Sequence, residues 1–566
     1  MFQTQLVERP TGTPTGATPP TARLPNSGRR LLRFAAAPLV ALLLLAPSVC
    51  WVAQDRSVWP WDQAWYGEVS VELYYTLAHN PRGWPAAMKA AFASKAPGQA
   101  WLGQWFVPLG QFLGSVDRGL HLSVLLWQFL TLVLIYRIGR ELSPAQGGTA
   151  GVGGCALVGA APLFVGMSHQ YMTEALQTLA VTWFFYCALS SPRWGRIRIL
   201  AHLAAATAVA MLAKTTSPLY CLLPGLMAVV QLLRRRPILN DRAGPLALAV
   251  RIGGLALGIG LLAGAAVWYR ANWQAVRHHA YIASVSDIAL QYGHKDVFSR
   301  KFAFWFAALR EGLFTPPLFW MAAFLTLTAV AVWGSRLGQA AWLRRPSAAN
   351  CLALLAALQV AILLVAFAFT INEDTRFLTA VAPAVAVLLM WAVANVPVRA
   401  AGVVFATAAL AQWGFVHAIT LGVSDWKGHC WLVPVERDAT HAEETARVVR
   451  LTSELADRYN IVGIELPWCN ANSLAYYAAK HKLAARRRAN YTSLGYAETD
   501  VGKALGRIDA INPTFFISLE EGAQPKPPNC LNQVAAPVLA KLQRDERYAR
   551  LPFLTQFGIV VFKRSP

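Results

Sequence analysis

The chain reads as a polytopic α-helical membrane protein that carries a small α/β domain beyond its last membrane segment. Three observations predict this. Of 566 residues, 55% are hydrophobic and only 14% charged, with a mean hydropathy of +0.38, which is membrane-protein rather than soluble-enzyme composition. About eleven apolar segments, each near the length of a bilayer span, run from Leu31 to about Leu421. From residue 424 onward the pattern changes to alternating helices and strands.

The elements follow in order. Residues 1–30 are rich in Thr, Pro and Gly, have nothing with which to form a core, and read as a disordered cytoplasmic tail. Residues 31–423 form the membrane domain, with spans expected at about 34–53, 119–138, 149–167, 171–190, 199–214, 217–233, 247–269, 313–333, 349–370, 377–395 and 400–421. The first span reads as an uncleaved anchor, because its leader is long and the residues before Cys50 make a poor cleavage context. Between the first two spans, residues 54–118 are aromatic and read as interfacial helices; the loop 270–312 has the same character. In residues 424–566, helices are expected in ATHAEETARVVRLTSELADRYN, SLAYYAAKHKL and APVLAKLQRDERY, and strands in NIVGIEL, PTFFISL and FGIVVFKR. No internal repeat is visible, which weighs against a transporter built from inverted halves.

Arginines set the orientation. Clusters at Arg29/Arg30/Arg33, Arg137/Arg140, Arg193/Arg196/Arg198, Arg234–Arg236 with Arg242, Arg336/Arg344/Arg345, and Arg399 all fall on one side. By the positive-inside rule that side is cytoplasmic, so the N-terminus is inside and the C-terminal domain outside. The formal charge of +22 is therefore a topology signal and does not call for a nucleic-acid partner. Of the eight cysteines, five lie in or beside apolar segments as small core residues. Cys430, Cys469 and Cys530 lie in the outer region; three pairings are open, with Cys469–Cys530 favoured.

The loops without arginine clusters carry the chemistry. Asp62 lies in WPWDQAWYGEVSVEL, where Pro60 suits a helix start and helical spacing places Trp65, Tyr66, Val69 and Glu72 broadly on the side of Asp62. As a bland alternative, Asp62 is only a favourable first-turn acid. Glu174 opens the fourth span behind Thr173, either as a functional boundary acid or as a helix-start acid. Lys214 sits alone between two apolar runs, where a snorkelling lysine is the alternative. NEDTRFLTAVAP sets Glu373, Asp374 and Arg376 against the tenth span; Arg376 has the planar fork that suits phosphate, and a local Asp374–Arg376 pair is the alternative. His278, His279 and His294 are candidate metal ligands, or polar anchors. Each signal alone is weak, and the shared face is what joins them.

These segments resemble the GT-C glycosyltransferases, multi-span enzymes that use polyprenyl-phosphate-linked sugars. The likeness is to the branch of protein O-mannosyltransferases and lipid A aminoarabinose transferases. WDQAWYG is similar to that branch's first-loop Asp-Glu motif, with Asp62 at the Asp and Gln63 where the family has Glu. Glu174 in TEALQTLAVTWFFY, Lys214 in LAKTTSP, and Arg376, Phe377 and Pro383 in DTRFLTAVAP resemble its later segments. The resemblance covers roughly residues 30–420. It implies a bacterial inner-membrane enzyme working on the extracytoplasmic face. That enzyme would move a hexosyl or pentosyl group from a polyprenyl-phosphate donor to a hydroxyl on a lipid, polysaccharide or protein.

Chemistry assigns the roles within that expectation. A phosphate leaves as a stable anion and needs no acid, so one carboxylate base and cations for the developing charge suffice. Asp62 is the expected base; Glu174 orients acceptor or sugar; Lys214 and Arg376 hold the donor phosphate; Gln63, Tyr66, Glu68, Glu373 and Asp374 support them. The two cations make a divalent metal unnecessary on this reading, and a single displacement inverts the anomeric centre. The competing readings are a transporter or flippase of lipid-linked sugars and an O-antigen-type ligase using a diphosphate-linked donor.

Overall fold

The structure is a computed structural model, and it describes residues 26–565 apart from 145–147, 235–243, 338–346, 397, 399, 422–438, 456–457, 527–529 and 553–555. The expected tail (as far as residue 25), Cys430 and the arginines at 235, 236, 242, 344, 345 and 399 lie outside those residues.

The apolar segments become helices because lipid leaves backbone groups no other partners. The first is α1 (Asn26–Gln54). The first long loop then folds as α2 (Trp61–His79), α3 (Trp84–Ala90), α4 (Gly98–Gly103) and α5 (Val107–Phe112), short helices set by Pro60, Pro85 and Pro108 at or beside their starts. The bundle continues with α6 (Val116–Leu142), α7 (Thr149–Gly159), α8 (Pro162–Ser168), α9 (Glu174–Ser190), α10 (Arg196–Ala213) and α11 (Ser217–Leu233). It closes with α12 (Pro245–Ser284), α13 (Phe298–Leu313), α14 (Pro316–Leu337), α15 (Ala348–Ala368), α16 (Ala382–Asn395) and α17 (Ala400–Thr420). Its core is one cluster drawn from α1, α6–α11 and α13–α17, with Phe164, Phe185 and Phe405 among its fully buried side chains.

Each expected span coincides with a helix, but not all are long. Among the described residues, eight helices are long and apolar enough to cross a membrane, or nine with the α7–α8 pair, which bends by 65°. Pro162 opens α8 and has no N–H with which to continue α7, so the third expected span is broken there. α9 and α11 have 17 residues each, the short limit for a span. A second difference concerns residues 270–312. Their first part is not an interfacial helix but the continuation of α12, whose 40 residues extend over about 60 Å, twice the hydrocarbon thickness. Trp268 Nε1 donates to Ala91 O at 2.9 Å, tying α12 to the first loop.

The C-terminal domain is a mixed five-stranded sheet with helices on its faces. Its elements are α18 (Ala442–Leu455), β1 (Tyr459–Val462), α19 (Ala471–Ala485), β2 (Asn490–Ser493), α20 (Val501–Ile511), β3 (Phe515–Leu519), α21 (Ala535–Leu542), β4 (Tyr548–Arg550) and β5 (Ile559–Arg564). Strand order is β2-β1-β3-β5-β4, with β1 parallel to β2 and β3, and β5 antiparallel to β3 and β4. The expected helices and strands are present; β2, β4 and α20 are additional, and the helix in APVLAKLQRDERY stops at Leu542. The favoured Cys469–Cys530 bridge is not formed: both thiols are free, Cys469 buried and Cys530 exposed.

The domain does not stand apart from the membrane bundle. Tyr476 and Ala479 of α19 join Trp59, Tyr66, Phe92 and Tyr171 in a core shared with the first loop. Tyr476 stacks on Trp59 with ring centroids 4.8 Å apart, and Ser473 Oγ donates to Trp59 O at 2.7 Å. Gly67 of α2 makes that approach possible, since a Cβ there would lie 2.7 Å from the Tyr476 ring.

Candidate active site

The site is built at helix ends. Pro60 takes the N-cap position of α2 in an extended conformation, and Trp61 opens the helix with φ of 26°, a region that L side chains rarely adopt. That strained turn, of a kind that clusters at functional sites, sets the direction of Asp62. Glu174 is the first residue of α9 and Lys214 the residue that ends α10. Arg376 lies in a short 3-10 turn, Thr375–Val381, that leads into α16.

The four expected residues come together, each cation with an acid. Lys214 Nζ donates to Glu174 Oε1 at 2.8 Å, the Glu174 side chain being only 2% exposed. Lys214 also lies over the Phe377 ring, 4.4 Å from its centroid. Asp374 accepts from Arg376 N at 3.1 Å and from Arg376 Nε at 2.9 and 2.8 Å, so one carboxylate caps the turn and aims the guanidinium. Arg376 acts electrostatically on both Asp62 and Glu174. Tyr66 is buried beside them. The local Asp374–Arg376 pair therefore exists and is part of the cluster, and Thr173 makes no side-chain cap on α9.

The third pair was not expected. Lys95 Nζ donates to Asp62 Oδ1 at 2.6 Å and lies 4.9 Å from the Trp65 ring centroid. Burial raises the Asp62 pKa, but Lys95 and Arg376 outweigh it and hold the carboxyl below its ordinary value. Its side chain is 38% exposed, so Asp62 is the open acid of the cluster. In the sequence Lys95 shares the long first loop with Arg82 and Lys89, so no lone charge between apolar runs marked it.

The supporting residues divide. Glu373 belongs to the scaffold of the Arg376 turn: Lys301 Nζ donates to Glu373 Oε1 and to Ile371 O, each at 2.9 Å, and His294 Nδ1 lies 3.0 Å from Glu373 Oε2. Glu373 N donates to Tyr292 O at 2.9 Å, and Gly293 pairs with Asn372, leaving no room for a side chain. Gln63 is buried on the neighbouring face of α2. Glu68 does not join the cluster. It pairs with Arg488 of the C-terminal domain, as Glu72 does with Arg488 at 2.6 Å and Lys482 at 2.8 Å. Burial raises the Glu68 pKa against the pull of Arg488. Among the described residues no group of three His, Cys, Asp or Glu side chains is placed to hold a metal, so the three candidate histidines do not form a centre.

The long apolar helices make this a multi-pass helical membrane protein. Residues 94–257, under a third of the chain, match the family described as dolichyl-phosphate-mannose-protein mannosyltransferase; the match includes Lys95, Glu174 and Lys214. The fold is similar to the crystal structure of ArnT from Cupriavidus metallidurans bound to undecaprenyl phosphate. The TM-score is 0.51 at 14% identity, covering 95% of this chain and 98% of that one. For the apo state of the same protein the TM-score is 0.50 at 15% identity, with the same coverage. No curated protein sequence matches the chain. The expected resemblance to the GT-C superfamily is thus met by the family match and by the fold.

Proposed function

We propose that the chain is a glycosyltransferase that moves a sugar from a polyprenyl-phosphate donor to an acceptor hydroxyl on the extracytoplasmic face of a bacterial inner membrane. The observation that carries this reading is the cluster of three acid–base pairs at one end of the bundle, with Asp62 as its open acid. The ArnT relative, which binds undecaprenyl phosphate, supports a donor of that class.

Each acid occupies only part of its cation. Lys95 and Lys214 each spend one N–H on a carboxylate and keep others, and Arg376 keeps Nη1. The acids hold the cations in place, and the remaining donors take the phosphate. Asp62 Oδ1 is engaged by Lys95 and Oδ2 accepts the acceptor's proton. The acceptor oxygen then attacks the anomeric carbon, the bond to phosphate oxygen breaks, and the phosphate leaves as an anion with inverted sugar configuration. Glu174, buried against Lys214, orients the site rather than exchanging protons. The three cations supply the charge that other transferases draw from a divalent metal.

The test is transfer by purified protein. Incubation with a polyprenyl-monophosphate sugar and a hydroxyl acceptor is expected to release sugar to the acceptor. Translocation without cleavage would make the chain a transporter, and strict need for a diphosphate donor would make it a ligase.

A further inference from the structure

A second basic site lies at the end of the bundle opposite Asp62. A cavity of about 210 Å³ opens where the end of α6, the end of α9, the start of α10 and Ala37 of α1 meet. Its lining is Tyr136, Arg137, Arg140, Glu141, Tyr186 and Arg198, with Ala37 from α1. A water occupies about 30 Å³ in the liquid, so the space admits a phosphate with part of its hydration.

The charge of the lining is one-sided in effect. Glu141 is its only acid, and it is taken from below by Arg193 and by Ser190 Oγ at 2.7 Å. Arg137 and Arg198 make no ion pair among the described residues; Arg198 lies over the Trp194 ring, 4.4 Å from its centroid. α10 begins here with no acid in its first turn and no side-chain cap, so its free N–H groups point toward the same end. The positive-inside rule explains arginines spread through the loops. It does not explain two tyrosines and three arginines from three helices facing one cavity. Ala37 places that cavity at the edge of the apolar zone, and α1 runs on with Leu39, Leu42 and Leu43 exposed, a surface for acyl chains.

We propose that this cavity binds the phosphate of an anionic phospholipid headgroup, with the acyl chains along α1. Basic pockets between membrane helices take such headgroups. On the orientation proposed above, the lipid belongs to the cytoplasmic leaflet; the binding itself does not depend on that orientation or on the transfer reaction.

The test uses full-length protein in nanodiscs. Replacing part of a neutral phosphatidylcholine bilayer with phosphatidylglycerol is expected to raise the thermal midpoint of the wild type, and detergent-purified protein is expected to retain an anionic phospholipid seen by native mass spectrometry. Arg137→Gln with Arg198→Gln is expected to cut retention roughly tenfold, whereas Arg234→Gln, on the same face but outside the lining, leaves it unchanged. Equal retention in the double variant and the wild type overturns the proposal. So does an equal loss from Arg234→Gln, which would mean unspecific attraction. A wild-type midpoint raised equally by inorganic phosphate without the lipid also overturns it, since the source would then be soluble. The wild-type lipid titration decides the matter even if the double variant does not fold.

Discussion

The start and the middle of α2 carry the same kinds of residue and do different things. In its middle, Glu68 and Glu72 meet Arg488 and Lys482 across the seam with α19; these side chains are 17–24% exposed. There the charges satisfy one another; the aromatic stack of Trp59 on Tyr476, just ahead of the helix, adds to the contact between the domains. At the N-terminal end, Asp62 meets Lys95, but its side chain stays 38% exposed and two further ion pairs crowd beside it. Paired charges that close on each other dock domains; paired charges that keep unspent donors and one open acid can receive a substrate. The C-terminal domain holds the middle of α2, and the proposed chemistry lies at its start.

The comparison can be broken by substitution. The largest effect is expected from Asp62→Asn, a fall in turnover of roughly 10²–10⁴ with the fold intact, measured with purified protein and a lipid-phosphate sugar. Lys214→Met should follow. It strands Glu174 in a buried place, and a buried charge without its partner costs about 3–5 kcal/mol, so the thermal midpoint should drop. Adding Glu174→Gln should restore the midpoint but not donor binding. Lys95→Met and Arg376→Ala should each weaken donor affinity by roughly 10–100-fold through loss of a charge-assisted hydrogen bond, read by titration with a polyprenyl phosphate. At the docking end, Arg488→Ala and Gly67→Ala should loosen the outer domain, seen as faster proteolysis of residues 439–565, while donor affinity changes by less than about threefold.

The pH profile sharpens the same contrast. Asp62 is held below its ordinary value, so its ionised form, and the stability its pairing contributes, persist above about pH 4 and are lost only as pH falls through the lowered value. A bound donor phosphate draws on Lys95 and adds negative charge, and both effects raise the Asp62 pKa. The acid limb of kcat should therefore lie above that of kcat/KM. Coincident limbs would mean that Lys95 does not share its charge with the donor.

Much of the membrane domain was legible because hydropathy acts locally: every expected span falls on a helix. The breaks were less so, since Pro162 splits an apolar run whose composition alone continues. In the C-terminal domain, NYTS and YAR are too short and polar to read as strands, and their pairing with β1 and β5 supplies what their sequence lacks. In the site, Asp62, Glu174, Lys214 and Arg376 were legible because a charge beside an apolar span needs a reason. Lys95, 33 residues from Asp62 in a loop without periodicity, and Arg488, 420 residues from Glu68, became visible only through the fold.

The central claim is that Asp62 supplies the base and its neighbouring cations hold the donor. It is tested most directly by comparing wild type and Asp62→Asn for donor affinity and single-turnover rate in the same preparation. Donor affinity in the variant should be retained or strengthened, because Lys95 is freed, while the rate falls by roughly 10²–10⁴. A variant that transfers sugar at near the wild-type rate would contradict it.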